Sequence, residues 1–349
     1  MGKVCHVNDE SFFLSKTNTD QLKGVAILLV ILGHMGIISY AGAYGVGIFL
    51  VLSGFGLTQS YLKSGTENFI RKRINKIIIP YMIITLIWFA IEKLRFGTSY
   101  SVKHTIKTLI GLNAQSPLDA SMWYVTFLIY WYIAFYLIFS LPQRNFIKVI
   151  SIFVTSYLIY KHAFLFTSAT GVSLYVIEFP IGVLIGILYD KFKGYKAKHY
   201  KMILCIVCII SGLLFKYYFK YILEGGYSKS IFFCTVFTIT FIGLMSYYKN
   251  LFINIFLNGF KEIGQVSYEM YLLEYVFLTK YFKIFKFINN DFLRCISFII
   301  TMIVLGKLMK ALINYIKVLI DYMINLFTKR LKKFKIIKSI GFNIFKFTK

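Results

Sequence analysis

The sequence predicts an all-α, polytopic integral membrane protein: a bundle of about ten transmembrane helices with both termini in the cytoplasm. Of its 349 residues, 58% are hydrophobic and only 15% are charged. The mean hydropathy is +0.68, and several apolar stretches are long enough to cross a bilayer. A soluble chain of this length could not hide so much apolar surface in one core and keep a polar exterior.

The placement of the basic residues predicts the orientation. A formal net charge of +26 would also suit a nucleic-acid-binding protein. Most of the 40 Lys and Arg residues, however, lie on alternate loops that share one face with both termini. This is the positive-inside pattern, so the charge indicates a cytoplasmic membrane face rather than DNA or RNA binding.

Hydropathy divides the chain into a cytoplasmic segment 1–19, a transmembrane domain 20–316 and a tail 317–349. The tail mixes Lys with Ile and Phe, which predicts a basic amphipathic segment on the anionic inner leaflet. Within segment 93–121, "KHTIKTLIGL" is a candidate interfacial helix. The ten predicted spans are 22–41, 44–62, 77–92, 122–141, 149–167, 173–190, 202–222, 230–248, 264–282 and 294–316.

The five cysteines predict no disulfide framework. Cys205 and Cys208 lie inside an apolar run and the others are scattered, so we interpret them as small buried residues. The sequence predicts no metal site.

A polar stripe crosses the first span, "DQLKGVAILLVILGH" at 20–34. In a helix, Lys23 and His34 share one face about 16 Å apart along the axis, and Asp20 lies within about 60° of both. Ionisable groups in a bilayer are costly and usually line functional cavities. An imidazole can take a proton from a hydroxyl and return it, so His34 is predicted to be a general base. The alternative is that His34 only hydrogen-bonds a neighbouring helix.

These residues resemble the first-helix signature of the membrane acyltransferase-3 family, in which Arg or Lys precedes an essential histidine by eleven positions. Three later stretches resemble family motifs in the same order, so the resemblance extends from residue 20 to about 278. The chain departs from the family in having Lys23 where Arg is frequent, and Glu274 where many members have His or Gln. The later stretches are "GVGIFLVLSGFGLTQSYLK", "FIRKRINKIIIPY" and "IGQVSYEMYLLEYVF".

The basic segment predicts a site for phosphate groups. Arg71, Arg73 and Lys76 crowd the inner rim of the third span, where cations would bind a nucleotide arriving from the cytoplasm. The other interpretation is an anchor for topology. The resemblance implies coenzyme A as the ligand, with Arg73 as the best match to the family motif. Pro80 is predicted to break a helix or to lie in its first turn.

Four further residues are candidates for substrate binding. Tyr271 and Glu274 share a helical face, and Glu274 either holds an acceptor hydroxyl or a cation, or pairs with a Lys or Tyr. Trp123 matches a family aromatic position and could pack against a sugar, although aromatic belts at membrane interfaces are common. Glu178 precedes Pro180 and either lines the same cavity or stabilises a kink.

The resemblance implies a membrane O-acetyltransferase that uses acetyl-CoA to acylate a hydroxyl of a cell-surface polysaccharide or lipid-linked glycan. His34 would deprotonate the acceptor or carry the acyl group briefly, and Asp20 would orient Lys23. The alternative is a transporter or flippase for a glycan or lipid carrier, with His34 as a proton relay. A polysaccharide polymerase is a third class, from which we would expect a large outer loop.

The amino-acid composition is rich in Lys, Ile, Phe and Tyr, which indicates an AT-rich bacterial genome. The predicted location is therefore the bacterial plasma membrane, where the protein would contact membrane lipids. The sequence leaves open which sugar and hydroxyl are acylated, the length of the acyl group and whether the chain forms a homo-oligomer.

Overall fold

The computed structural model describes residues 13–114, 116–162, 171–192, 201–220, 227–247 and 251–333. All regular secondary structure in these residues is helical. The α-helices, in chain order, are α1 Lys16–His34, α2 Ala41–Ser64, α3 Phe69–Arg73, α4 Ile79–Phe96, α5 Val102–Leu109, α6 Trp123–Phe139, α7 Asn145–Lys161, α8 Gly171–Leu174, α9 Glu178–Phe192, α10 Lys201–Phe219, α11 Tyr227–Tyr247, α12 Leu251–Gly264, α13 Ser267–Tyr281 and α14 Asp291–Lys333.

Seven helical segments of the described chain are long and apolar enough to cross a membrane. This confirms the predicted all-α membrane class, while the count of ten and the cytoplasmic termini stay predictions. Three predicted spans fall on shorter or more polar helices: α1 begins with polar turns, and α7 and α13 have 17 and 15 residues. The seven segments are Ala41–Ser64, Phe69–Phe96, Ala120–Phe139, Val172–Lys191, Lys201–Phe219, Ser228–Ser246 and Asp291–Thr328.

Several helix ends differ from the predicted spans. Helix α1 ends at His34, seven residues before the predicted end at residue 41, and a turn leads into α2. Gly36 in that turn has φ 73°, a conformation that glycine adopts without strain. At the other end of the chain, α14 continues past residue 316 to Lys333, so the predicted tail begins as helix. Residues 1–12 and 334–349 of the predicted terminal segments lie outside the described residues.

Helix α1 is central and packs against α2, α11, α12 and α13. Glycines allow its backbone to touch its neighbours at both ends. A Cβ on Gly264 would lie 1.7 Å from the carbonyl oxygen of Asp20, and one on Gly33 would lie 2.6 Å from the Gly42 nitrogen. Small residues are typical of such close helix contacts in membranes. Helix α12 therefore fixes the Asp20 end of α1, and α2 fixes the His34 end.

The basic segment is one continuous helical rod. Helix α3 passes through a π-helical stretch, Ile74–Ile78, into α4, and Pro80 lies in the first turn of α4 as predicted. Proline cannot donate a backbone hydrogen bond to the carbonyl four residues earlier, that of Lys76. The wider π turn lies directly before it, and such turns are frequent at functional sites.

The segment between α4 and α6 leaves the bundle and returns. Helix α5 exposes Val102 and Ile106, a stripe that suits the predicted interfacial helix. Residues 116–122 then turn inward, and Ser116, Asp119 and Ser121 are all buried. Backbone and side-chain polar groups inside a membrane bundle must find hydrogen-bond partners within the protein. We call residues 116–122 the return loop.

Candidate active site

His34 pairs with a glutamate of a distant helix. Its Nδ1 atom lies 2.6 Å from Oε1 of Glu274 in α13. Glu274 is completely buried, whereas 28% of the His34 side chain is exposed. With Glu274 ionised, its carboxylate can only accept hydrogen bonds, so Nδ1 of His34 donates to it and Nε2 is left to accept one. A base oriented by a carboxylate is the arrangement that activates hydroxyl groups.

The pairing answers what Glu274 contacts. Its Oε1 atom accepts from His34, not from the Lys or Tyr side chain that the sequence suggested as an alternative partner. Its Oε2 atom is buried and has no hydrogen-bond partner. The next residue, Tyr275, packs against the His34 ring with the ring centroids 5.1 Å apart. The imidazole is thus held on two sides by α13.

Asp119 in the return loop is a third ionisable group near this pair, and the sequence analysis did not predict it. Its Oδ1 atom accepts from the backbone N–H and from the hydroxyl of Ser121, both at 2.7 Å. Its Oδ2 atom is buried without a partner. Asp119 interacts electrostatically with His34 and Glu274. Burial raises the pKa of Asp119 to about 7, against the opposing effect of the Ser121 hydrogen bonds.

A signal for Asp119 was present in the sequence. Only 14 of the 349 residues are acidic, and an Asp followed two residues later by Ser is typical of a side chain that caps a local turn. The turn residues Ala120–Met122 lead directly into α6. Nothing in the local pattern, however, predicts that this turn reaches His34.

Tyr271 ties the return loop to α13. Its hydroxyl donates to the backbone carbonyl of Ser121, and its ring packs edge-on against Tyr124 with the centroids 5.3 Å apart. Tyr271 precedes Glu274 by one helical turn. The predicted role of Tyr271 in substrate binding is untested, and its hydroxyl already has a structural partner.

Asp20 and Lys23 pair with each other at the opposite end of α1 from His34. Lys23 Nζ lies 3.0 Å from Asp20 Oδ1. Lys23 also lies within electrostatic range of Lys76 in the π-helical stretch. The Lys23 end of α1 therefore lies near the basic segment. The other cations that repel Lys76 are Arg73, Lys72 and Lys16.

Arg73 lines a cavity of about 330 Å³ between the α3–α4 rod and α6. Its guanidinium carbon lies 5.7 Å from the ring centroids of both Phe69 and Tyr132, and its Nε atom is buried without a partner. The remaining lining is aliphatic or aromatic. Arg71, on the same short helix, is partly buried and is not part of that lining.

Two predicted residues make other contacts. The Trp123 ring stacks on Tyr175 with the centroids 5.7 Å apart. Glu178 is fully buried at the start of α9, and its Oε1 atom accepts from the Thr235 hydroxyl at 2.9 Å. Within the described residues, no direct hydrogen bond joins Glu178 to the His34–Glu274 pair. Among those residues, no group of three His, Cys, Asp or Glu side chains is arranged to hold a metal ion.

Helices able to cross a membrane and a partly exposed histidine held by a buried carboxylate define a membrane protein with an acid–base site. A family model described as "Acyltransferase domain" matches residues 17–309. The chain therefore belongs to the membrane acyltransferase-3 family and is a membrane acyltransferase, as the four sequence motifs predicted. Comparisons with curated proteins and with solved structures gave no match.

Proposed function

We propose that this protein is an O-acetyltransferase that moves an acetyl group from acetyl-CoA to a hydroxyl of a cell-surface polysaccharide or lipid-linked glycan. The His34–Glu274 contact of 2.6 Å is the observation that carries the proposal. Membership of the family supports acyl transfer in general. The histidine pair supports a hydroxyl as the acceptor, because a hydroxyl needs a base to become a nucleophile.

The donor would bind at the other end of α1. Lys76, Arg73 and Lys23 form a cationic cluster suited to the phosphates of coenzyme A, and Arg71 adds charge on α3. Lys23 and His34 are eleven residues apart, about 16 Å along the helix axis, so the pantetheine arm would extend along the stripe. Asp20 holds Lys23 in place through the 3.0 Å pair.

The chemistry is a direct transfer. The acceptor hydroxyl donates its proton to Nε2 of His34 while its oxygen attacks the thioester carbonyl carbon. The carbon–sulfur bond breaks, and the leaving coenzyme A sulfur takes the proton from the imidazolium. Glu274 stabilises that imidazolium and keeps the tautomer with the proton on Nδ1. The buried position of Glu274 makes this electrostatic support stronger than it would be in water.

The acceptor would reach His34 from the outer side of the bacterial plasma membrane, given cytoplasmic termini. Trp123, stacked on Tyr175, supplies an aromatic surface of the kind that packs against sugar rings. Tyr271 would form part of the same acceptor-binding surface. Glu178 contacts α11 through Thr235. We therefore propose that Glu178 supports this acceptor-binding surface from behind and does not contact the acceptor.

The test uses purified protein in detergent, radiolabelled acetyl-CoA and a crude surface glycan. We expect wild type to release coenzyme A and label the glycan, and His34→Ala to lose both by at least 100-fold. His104→Ala is the matched control, because His104 hydrogen-bonds within the α5 region and should keep full activity.

A folded His34→Ala protein with full transfer activity would contradict the mechanism. Absence of acetyl-CoA consumption by folded wild type with every acceptor would contradict the function and favour transport. Transport needs two compartments, whereas acyl transfer proceeds in detergent.

A further inference from the structure

Two carboxylate oxygens beside His34 lack partners. Oδ2 of Asp119 and Oε2 of Glu274 are both buried and neither accepts a hydrogen bond. The side chains that carry them are on residues with 2% and 0% exposure. Buried polar atoms without a partner are rare because losing water costs free energy that only a hydrogen bond returns. Two such acceptors in one place indicate a ligand that brings donors.

Two hydrogen bonds orient the carboxyl group of Asp119. Ser121 donates two hydrogen bonds to Oδ1 of Asp119, and Tyr271 donates to the carbonyl of the same Ser121. Tyr271 and Glu274 lie one turn apart on α13. The two carboxylates are therefore held relative to each other by a short chain of contacts, so a ligand that uses both pays little entropy for ordering them.

The electrostatic surroundings define the chemistry of this ligand. Of the groups in the described part of the chain that interact with Asp119, His34 is the one that can become a cation. Asp119 and Glu274 both interact electrostatically with His34, and their unpartnered oxygens can accept hydrogen bonds from hydroxyl groups. The titratable groups that interact with Asp119 are His34 from α1, Tyr81 from α4, and Tyr271, Glu274 and Tyr275 from α13.

We propose that Asp119 is a specificity-determining residue whose Oδ2 atom accepts a hydrogen bond from a second hydroxyl of the acceptor, next to the hydroxyl that donates to His34. The site thereby selects molecules with two neighbouring hydroxyls over simple alcohols. The identity of the first hydroxyl as the nucleophile rests on the proposed acetyl transfer. The recognition of the diol by Asp119 rests on the two unpartnered oxygens and has its own readout.

Asp119 also has a local structural role, which one substitution separates from binding. Asp119→Asn keeps an oxygen that can accept from Ser121, so the turn stays capped. It replaces the free acceptor Oδ2 with an amide donor, which a hydroxyl acting as donor cannot use. A purely structural Asp119 would tolerate this change.

The experiment compares wild type, Asp119→Asn and a control, Glu92→Gln, with two matched acceptors: 1,2-cyclohexanediol and cyclohexanol. Glu92 is a buried glutamate whose partner is Lys280 at 2.6 Å rather than His34. We expect wild type and the control to acetylate the diol with a KM at least tenfold lower than that of cyclohexanol. In Asp119→Asn the KM of the diol should rise about tenfold relative to that of cyclohexanol, so that the preference for the diol is lost.

A pH series adds a second readout. In wild type the KM of the diol should fall as the pH rises through about 7, the pKa of Asp119, because the carboxylate is the better acceptor. In Asp119→Asn this dependence should vanish. Retention of the diol preference and of its pH dependence by Asp119→Asn would overturn the proposal, and so would an equal loss with both acceptors.

A binding measurement keeps the inference independent of turnover. If wild type consumes no acetyl-CoA with any acceptor, the proposed function is wrong. The role of Asp119 is then tested separately, by thermal melting in the presence of 1,2-cyclohexanediol or cyclohexanol. A melting temperature raised by the diol more than by cyclohexanol, in wild type but not in Asp119→Asn, supports Asp119 as the diol site. Equal shifts in the two proteins overturn it.

Discussion

Nδ1 of His34, the last residue of α1, lies 2.6 Å from Oε1 of Glu274, which is 240 positions later in the chain. The contact joins the end of the first helix to the interior of α13. It holds the imidazole in one tautomer and places a fully buried carboxylate where positive charge would develop during proton transfer. The following predictions test this pair and the parts of the bundle that position it.

Glu274→Gln should lower kcat about 100-fold, because the neutral amide keeps the size of the side chain but does not stabilise an imidazolium. The KM for acetyl-CoA should stay within twofold of wild type, since the donor cluster lies at the other end of α1. Steady-state kinetics of coenzyme A release measure both values. Glu92→Gln, another buried glutamate in an ion pair, should retain wild-type kcat. Equal losses in the two variants would contradict the assignment.

Arg73→Lys should raise the KM for acetyl-CoA about tenfold, equivalent to about 1.4 kcal/mol, with kcat within twofold. Lysine keeps the charge but lacks the planar fork that binds phosphate and stacks on Phe69 and Tyr132. Arg95→Lys is the control, because Arg95 also lies over an aromatic ring, Tyr281 at 5.0 Å, but at the far end of α4. An unchanged KM in Arg73→Lys would argue against donor binding at this residue.

Gly264→Ala should destabilise the protein by about 1–3 kcal/mol, as overpacking usually does. The new methyl group would lie 1.7 Å from the Asp20 carbonyl oxygen, so α1 and α12 must separate. Thermal melting in detergent measures the effect as a lower melting temperature. Gly259→Ala on the same helix meets nothing within 4 Å and should match or slightly exceed wild type. Similar losses for both substitutions would show that helix contact is not the cause.

Asp119 should make stability depend on pH. Burial raises its pKa from 3.8 to about 7, so its ionisation is harder in the folded state. The folded protein loses stability relative to Asp119→Asn as the pH rises from 3.8 to 7, and the difference is constant above 7. The full loss of stability relative to Asp119→Asn is about 4 kcal/mol, at about 1.4 kcal/mol per pKa unit.

Melting temperatures of wild type and Asp119→Asn between pH 4 and pH 8.5 test this dependence. The melting temperature of Asp119→Asn should rise relative to that of wild type up to about pH 7, and the difference between them should stay constant above pH 7. Asp291→Asn, at a side chain that is 90% exposed, should run parallel to wild type. A constant difference in melting temperature between Asp119→Asn and wild type over the whole range would show that the pKa of Asp119 is not raised by folding.

The sequence alone predicted the membrane class, the family and most helices. Hydropathy and helix geometry are local properties, so the apolar runs and the eleven-residue spacing of Lys23 and His34 could be interpreted without a fold. The basic segment that contains Arg73 and the turn at Pro80 were equally local. Helix ends were less accurate, as with α1 and α14, because capping turns and long helices depend on neighbouring segments.

The tertiary structure decided the partners of these residues. Helix α12 packs on α1 through Gly264, the return loop brings Asp119 inward, and α13 sets Glu274 against His34. Each of these contacts joins segments far apart in the chain, and no periodicity in either segment encodes which face of one meets which face of the other. The sequence therefore determined which polar groups enter the bundle, while only the packing of the helices decided that an imidazole contacts one carboxylate and interacts electrostatically with a second.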